Sequence, residues 1–174
     1  DAAICDGTVS LMAVFAELTA LGQWREGRMS NMLDGGASYY GVYACADGKH
    51  VSIGAIEPQF YALLRERAGM TDPAFDRRDD PAAWPELRDR TAAIFRTRPR
   101  DEWVRLLEGT DACFAPVLSS EEAPDHTHLR ARNSFVSLNG VTQPAPAPRF
   151  SGTPAMRPRT SERRAIADVA GIWA

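Results

Sequence analysis

Lysine is almost absent from this 174-residue chain: Lys49 is the single lysine, and arginine supplies every other basic side chain. The 20 basic residues are outnumbered by 23 acidic ones, for a formal net charge of −3. The positive excess that nucleic acids or anionic membranes attract is therefore missing, and we expect neither as a partner. Arginine can recognise carboxylates and phosphates, but usage this one-sided is more typical of a GC-rich bacterial genome.

Cysteines and long hydrophobic runs are also scarce. Cys5, Cys45 and Cys113 are odd in number, widely spaced and without a CxxC pair, which argues against a disulfide framework or a zinc knuckle. The most apolar segment, residues 9–21, is interrupted by Glu17 and is too short to span a membrane. No signal peptide pattern precedes it. The sequence predicts a cytoplasmic protein of bacterial origin.

The pattern of apolar residues predicts a mixed α/β fold. A helical period runs from Asp1 to about Leu21 and predicts one long N-terminal helix, followed by a glycine-rich loop to residue 38. Two strand-like runs, Tyr39 to Cys45 and His50 to Ile56, flank an Asp-Gly dipeptide. That dipeptide is a strong hairpin signal, so we expect a small antiparallel sheet.

Short helices and a proline-rich tail follow the hairpin. Three helical patterns begin near Glu57, Asp80 and Asp101, and the first and last of them end at glycines. A buried strand is predicted over residues 111–118. From residue 143 repeated prolines favour extended chain, and the stretch 160–169 is polar enough to fray. We divide the chain into residues 1–38, a small α/β domain of residues 39–142, and a proline-rich segment of residues 143–174.

Glu57 is the leading candidate for chemistry. It lies where a predicted strand meets a predicted helix, and an apolar setting of Ala55, Ile56 and Phe60 would raise the pKa of its carboxyl toward the range useful for proton transfer. A helix N-terminus opposes that change because it favours the anion. Position alone favours the simpler interpretation, in which Glu57 only caps the helix or complements its dipole.

Other candidate residues have simpler explanations. His126 and His128 could share a metal if they lay on a strand, but no convincing further ligand is spaced for it, and a solvated loop is the better interpretation. We expect no metal. Cys113 is interpreted as a small buried strand residue rather than a nucleophile. The pair Met32 and Leu33 could line an acyl surface or belong to the core.

Five sequence blocks in order identify a resemblance that covers about Asp1 to Pro154. They are NMLDGGASYYGVY, ADGKHVSIGAIEPQFY, WPELRDR, TDACFAPVL and PAPRFSGTP. Together they resemble the C-terminal part of the class III CoA-transferase (CaiB/BaiF-like) family, and within it the α-methylacyl-CoA racemases. The resemblance implies epimerisation of 2-methylacyl-CoA thioesters in fatty acid metabolism, by proton transfer at the α-carbon.

The resemblance also implies roles for residues of this chain. Glu57 would be one of two acid–base groups, the other being a histidine–aspartate pair upstream of Asp1, so that the chain alone would be inactive. Coenzyme A would enter as part of the substrate, with no separate cofactor. The residues expected to border the acyl chain are Met32, Leu33, Gly35, Gly36 and Ile56.

An interlocked homodimer is the assembly that the resemblance implies. Residues 1–38 would be a linker helix and loop from a large domain, residues 143–174 would return toward that domain, and Glu57 would act across the subunit interface. Because the chain opens with Asp1 and enters apolar-periodic sequence at once, we expect a piece of a larger protein. Two alternatives stay open: a CoA-transferase of the same family, which uses an upstream aspartate nucleophile, and a non-catalytic dimerisation module.

Overall fold

The computed structural model describes residues 1–156, 158 and 159 of the chain. These residues form two compact units, one of residues Asp1–Val117 and one that begins at Leu118. The division proposed at residue 143 stays a prediction, and that position lies inside a strand of the second unit. The stretch 160–169, for which fraying is predicted, lies outside the described residues.

The N-terminal segment forms two helices in place of the predicted long one. Helix α1 spans Ile4–Leu11 and helix α2 spans Ala13–Ala20. They are separated at Met12, whose N–H donates to the carbonyl of Val9, three residues back rather than four, at 3.1 Å. Neither helix buries a residue within the described part of the chain. From residue 4 to residue 20, the exposed large apolar side chains are Ile4, Val9, Leu11, Met12 and Val14.

A three-stranded antiparallel sheet is the centre of the first unit. Strand β1 spans Tyr40–Ala44, β2 spans His50–Gly54 and β3 spans Phe114–Val117, in the spatial order β1-β2-β3. The predicted hairpin is confirmed, with Gly48 in its turn at φ 76°. The buried strand predicted over residues 111–118 is shorter, and its residues are only half-buried or exposed because it lies at the edge of the sheet.

The two faces of this sheet have different surroundings. Tyr43, Val51 and Ile53 are buried and point to one side, where the helices pack. Because side chains alternate along a strand, Val42 and Ser52, which are partners in the β1–β2 register, point to the other side. Val42 is 60% exposed. The sheet therefore has one core face and one open face within the described first unit.

Three helices cover the core face, as the sequence predicts. Helix α3 spans Pro58–Ala68, α4 spans Trp84–Phe95 and α5 spans Arg100–Leu107. The ring of Phe95 stacks on Tyr43 at 5.5 Å and meets Trp103 edge-on at 5.0 Å. The indole N–H of Trp103 donates to the Phe95 carbonyl at 2.9 Å, so this buried aromatic ring is also satisfied as a donor.

Gly69 ends α3 in the left-handed conformation, at φ 70° and ψ 31°. We expect Gly69→Ala to lower the free energy of unfolding by about 1 kcal/mol, because a Cβ disfavours this conformation although no neighbouring atom lies within 4 Å. Gly7→Ala is the matched control, since Gly7 is helical and equally open. Urea denaturation should show destabilisation for Gly69→Ala alone, and equal midpoints for the two variants would contradict the conformational argument.

The second unit begins with a capping arrangement. The Ser119 hydroxyl accepts from the Glu122 N–H at 3.1 Å, and the Glu122 carboxylate accepts from the Ser119 N–H at 3.0 Å. A short 3₁₀ helix, Ala123–Asp125, and helix α6, Thr127–Ala131, follow. The strand arrangement that a metal shared by two histidines would need is not formed, because His128 lies in α6 and His126 precedes it.

A second hairpin completes this unit. Strand β4 spans Phe135–Leu138 and pairs with β5, Val141–Pro144. This hairpin is not among the elements predicted from the sequence. Its turn is Asn139-Gly140, with φ of 50° and 80°, a pair typical of tight hairpins.

Candidate active site

Glu57 lies between β2 and α3, at the N-cap position of α3. Its backbone is extended, at φ −72° and ψ 142°, and its side chain makes no capping hydrogen bond. The residue is exposed, and within the described residues no salt bridge holds its carboxylate. The capping interpretation is therefore wrong for the side chain, although the backbone of Glu57 does begin the helix.

Hydrogen bonds fix the backbone on both sides of Glu57. The N–H of Gly54 donates to the Cys113 carbonyl at 2.9 Å, and the N–H of Ala55 donates to the Tyr39 carbonyl at 3.1 Å. On the helix side, the Glu57 carbonyl accepts from the Tyr61 N–H at 3.0 Å. An exposed carboxylate is thus mounted on a rigid junction, which is the arrangement that a positioned acid–base group requires.

A concavity of about 450 Å³ occupies the open face of the sheet. Cys113, one of its lining residues, is half-buried and has a left-handed backbone at φ 49°, so it is not the buried strand residue that the sequence predicts. Burial raises the pKa of the Cys113 thiol, and the negative charge of Glu57 raises it further. The other lining residues are Tyr40, Gly41, Val42, Ser52, Ile53, Gly54, Thr110, Phe114 and Ala115.

The charge of Glu57 should be measurable through Cys113. We expect Glu57→Gln to lower the pKa of the Cys113 thiol, because the repelling negative charge is removed and the thiolate forms at lower pH. At a fixed pH below that pKa, iodoacetamide should then label Cys113 faster than in the wild type, as followed by peptide mass spectrometry. Unchanged labelling across the pH range would show that the two groups are not neighbours.

The glycine-rich loop before β1 is held by Asn31 and Asp34. The Asp34 carboxylate accepts from the N–H groups of Ser30, Asn31 and Gly36 and from the Asn31 side chain, at 2.9 to 3.1 Å. Burial alone would raise the pKa of Asp34, but these hydrogen bonds outweigh it and hold the pKa below its ordinary value. The loop is therefore preorganised without regular secondary structure.

Gly36 is required by close packing inside this loop. A Cβ at Gly36 would lie 2.6 Å from the Asn31 carbonyl oxygen and 2.8 Å from that of Met29. Gly35 is tied to the core from another direction, since its carbonyl accepts from Arg88 of α4 at 3.1 Å. The two glycines thus shape the loop, and their expected place beside the acyl chain stays a prediction.

Met32 and Leu33 are presented at the surface of this loop, 36% and 40% exposed. Both line a cavity of about 250 Å³. The other lining residues are Leu18, Gln23, Trp24, Tyr39, Asp79 and Trp84. An apolar wall of this kind suits a hydrocarbon chain.

Tyr39 joins the two halves of the candidate site. Its side chain lines the cavity with Met32 and Leu33, and its carbonyl accepts from Ala55, two residues before Glu57. Ile56 is half-buried against the core, and its carbonyl accepts a hydrogen bond from the Arg78 guanidinium. No pattern in the sequence marks Arg78 or Tyr39, because their contacts join segments that are far apart in the chain.

Nowhere within residues 1–156, 158 and 159 do three or more His, Cys, Asp or Glu side chains gather as they would around a metal ion. None of the helices described there has the length and apolar character needed to cross a membrane.

Comparison with known proteins gives consistent matches over most of the chain. A family model described as CoA-transferase family III matches residues 1–163. Alpha-methylacyl-CoA racemase of Mus musculus is 40% identical over 157 residues, which are 90% of this chain and 41% of the mouse protein. The Homo sapiens enzyme of the same name is 39% identical over 157 residues, with the same shares. The chain thus spans about two fifths of the length of these relatives.

Two more distant proteins also match the chain. ZK892.4 of Caenorhabditis elegans, a CaiB/baiF CoA-transferase family protein, is 29% identical over 117 residues, which are 66% of this chain and 33% of that protein. The crystal structure of Rv3272 from M. tuberculosis, in an orthorhombic form, superposes with a TM-score of 0.62 at 16% identity, covering 89% of this chain and 42% of Rv3272. At this identity the structural likeness establishes the fold alone, which is the mixed α/β fold described above.

Proposed function

The chain belongs to CoA-transferase family III, and on that premise we propose that it forms part of an α-methylacyl-CoA racemase and supplies Glu57 as one of two acid–base groups. The observation that favours this role is the exposure of the Glu57 carboxylate. This group is exposed on a rigid junction and is engaged neither in capping its helix nor in a salt bridge within the described residues. A carboxylate in this state is accessible to a substrate brought to the junction.

The proposed reaction exchanges the proton on the α-carbon. A base on one face of the substrate removes the proton from the carbon next to the thioester carbonyl, and the electron pair of the C–H bond passes into an enolate. An acid on the opposite face then returns a proton to the same carbon, which inverts its configuration. Glu57 would serve one face, and a histidine–aspartate pair outside this chain would serve the other. Each positioned group of this kind typically contributes about 10²–10⁴-fold to the rate.

The acyl chain of the substrate would lie against the loop that presents Met32 and Leu33. These side chains are exposed and line an apolar cavity, while Ile56 and Tyr39 connect that cavity to the Glu57 junction. The relatives named as racemases of alpha-methylacyl-CoA suggest a branched acyl group at this position. Gly35 and Gly36 would act by shaping the loop.

A second chain or a larger domain is needed to complete this site. The exposed apolar side chains of α1 and α2 support a homodimer in which this segment packs against a neighbouring subunit. Glu57 would then be delivered across the interface, to a thioester bound mainly by the other subunit. On this proposal the chain alone has no racemase activity. That the protein is bacterial and lies in the cytoplasm stays a prediction.

The full-length gene product tests the function directly. It would be incubated in deuterated water with each epimer of a 2-methylacyl-CoA, and deuterium incorporation and epimer ratio would be followed by mass spectrometry and chiral chromatography. Racemisation of both epimers with uptake of one solvent deuteron is expected. Transfer of CoA to a free carboxylic acid without α-exchange would instead identify the CoA-transferase alternative. The absence of both activities would favour a dimerisation module.

A further inference from the structure

Arg78 occupies an unusual position behind the Glu57 junction. It follows a short 3₁₀ helix, Pro73–Arg77, and its side chain is only 12% exposed. The guanidinium carbon lies 4.3 Å from the centre of the Tyr39 ring and 4.5 Å from that of Tyr61. Burial raises the pKa of both phenols, that of Tyr61 to about 12, so the cation meets two neutral aromatic rings.

One nitrogen of this guanidinium reaches the backbone next to Glu57. Nη2 of Arg78 donates to the carbonyl oxygen of Ile56. The Ile56 carbonyl and the Glu57 nitrogen belong to one planar peptide group, so a bond to that oxygen fixes the plane from which the Glu57 Cα projects. Since the Glu57 side chain has no capping bond of its own, its direction depends on this backbone plane.

The chain holds Arg78 itself in place by several contacts. Its carbonyl accepts from the Trp84 indole at 2.7 Å, and its Nε lies 3.1 Å from the Asp79 carboxylate. Both Tyr39 and Trp84 also line the cavity of Met32 and Leu33. Arg78 therefore lies between the apolar cavity and the proposed acid–base group.

The contacts of Arg78 do not satisfy every donor of its guanidinium. Nη1 of Arg78 is buried and has no hydrogen-bond partner among the described residues. A buried charged group with an unsatisfied donor is unfavourable, and an apolar side chain of similar volume often replaces a buried ion without loss of stability. Lysine could not reproduce the contacts, because its single ammonium cannot lie against both rings, contact the Asp79 carboxylate and donate to the Ile56 carbonyl at the same time, as the guanidinium fork does.

We infer that Arg78 is a positioning residue for Glu57: placed against the rings of Tyr39 and Tyr61, it binds the Ile56 carbonyl and so holds the Glu57 carboxylate in the direction of the substrate. This inference rests on the role proposed for Glu57. It predicts that Arg78 affects turnover more than substrate affinity, because it binds the acid–base segment directly and is not itself one of the residues that line the acyl cavity.

The test compares Arg78→Lys with wild type in the full-length protein, by two measurements. We expect kcat for α-proton exchange of a 2-methylacyl-CoA to fall at least about tenfold while KM changes by less than about twofold. Amide hydrogen exchange, followed by mass spectrometry on the peptide covering residues 54–61, should accelerate about tenfold with unchanged exchange in α4. The second measurement needs no substrate.

Arg65→Lys is the matched control. Arg65 lies on α3, also approaches the Tyr61 ring, at 5.9 Å, and donates to the Met70 carbonyl at 3.2 Å, but it touches the far end of the helix. This variant should leave both kcat and the 54–61 peptide unchanged. The inference is overturned if Arg78→Lys leaves the exchange of that peptide at the wild-type rate, or if the two variants behave alike. A wild-type protein without α-exchange would overturn the proposed function, while the amide data would still decide the positioning role.

Discussion

Replacing Glu57 by glutamine is expected to lower α-proton exchange by the full-length protein by about 10²–10⁴-fold on the face that Glu57 serves. Glutamine has nearly the same shape but cannot accept a proton at neutral pH. Because the carboxylate is exposed and makes no capping bond, the substitution removes no contact that holds the fold. Thermal denaturation should therefore give the wild-type midpoint, which separates a chemical effect from a structural one.

Each epimer of the substrate reports on one face. Loss of exchange for one epimer, with exchange of the other retained, would assign the face that Glu57 serves. Glu66→Gln is the control, since Glu66 lies on the same helix and is also exposed. It should behave as the wild type. Equal exchange of both epimers by Glu57→Gln and the wild type would remove Glu57 from the mechanism.

Gly36→Ala is expected to have the second large effect. The added Cβ would lie 2.6 to 2.9 Å from three backbone atoms of Met29 and Asn31, which cannot rotate away as a flexible side chain could. Relief requires the loop to shift, at a typical loss of about 1–3 kcal/mol in the free energy of unfolding. The movement would displace Met32 and Leu33, so KM for an acyl-CoA should rise as well, as steady-state kinetics would show.

A glycine in open surroundings provides the comparison. Gly152→Ala introduces a Cβ with no atom within 4 Å and no left-handed backbone. It should change neither urea denaturation nor KM. If Gly36→Ala is as stable as Gly152→Ala and retains the wild-type KM, then the tight packing of the loop around Gly36 does not support the acyl surface.

Local sequence patterns account for much of the first unit. Helix α3 is predicted from end to end because Pro58 fits the first turn and Gly69 the last, and both act through their own backbones. The β1–β2 hairpin is equally local, since the Asp-Gly turn brings adjacent strands together. The break between α1 and α2 at Met12 is not predicted, because the helical spacing of apolar residues continues across it. The break consists of a single hydrogen bond from Met12 to the residue three positions back instead of four.

The β4–β5 hairpin escapes prediction for a different reason. Pro144 and the prolines after it favour unpaired extended chain, although Asn139-Gly140 is itself a sufficient hairpin signal. Here two local patterns conflict.

Only part of the candidate site can be predicted from the sequence. Position and resemblance single out Glu57 and the loop residues, because the relevant blocks are continuous in the chain. The contacts of Arg78 are not predictable in this way, since Tyr39 and Ile56 are 39 and 22 residues away from it. The tyrosine rings and the Ile56 carbonyl come together around Arg78 only when the sheet packs against α3. No periodic pattern in the sequence indicates contacts of this kind.

The edge position of β3 has a consequence for solubility. A free sheet edge normally offers a row of N–H groups to which a strand from another molecule can attach. Pro116 lies in the middle of β3 and has no N–H to offer, so the row is interrupted within a strand of only 4 residues. This side of the sheet is thereby protected against growth into a continuous intermolecular sheet, even though its open face is left uncovered within the described first unit.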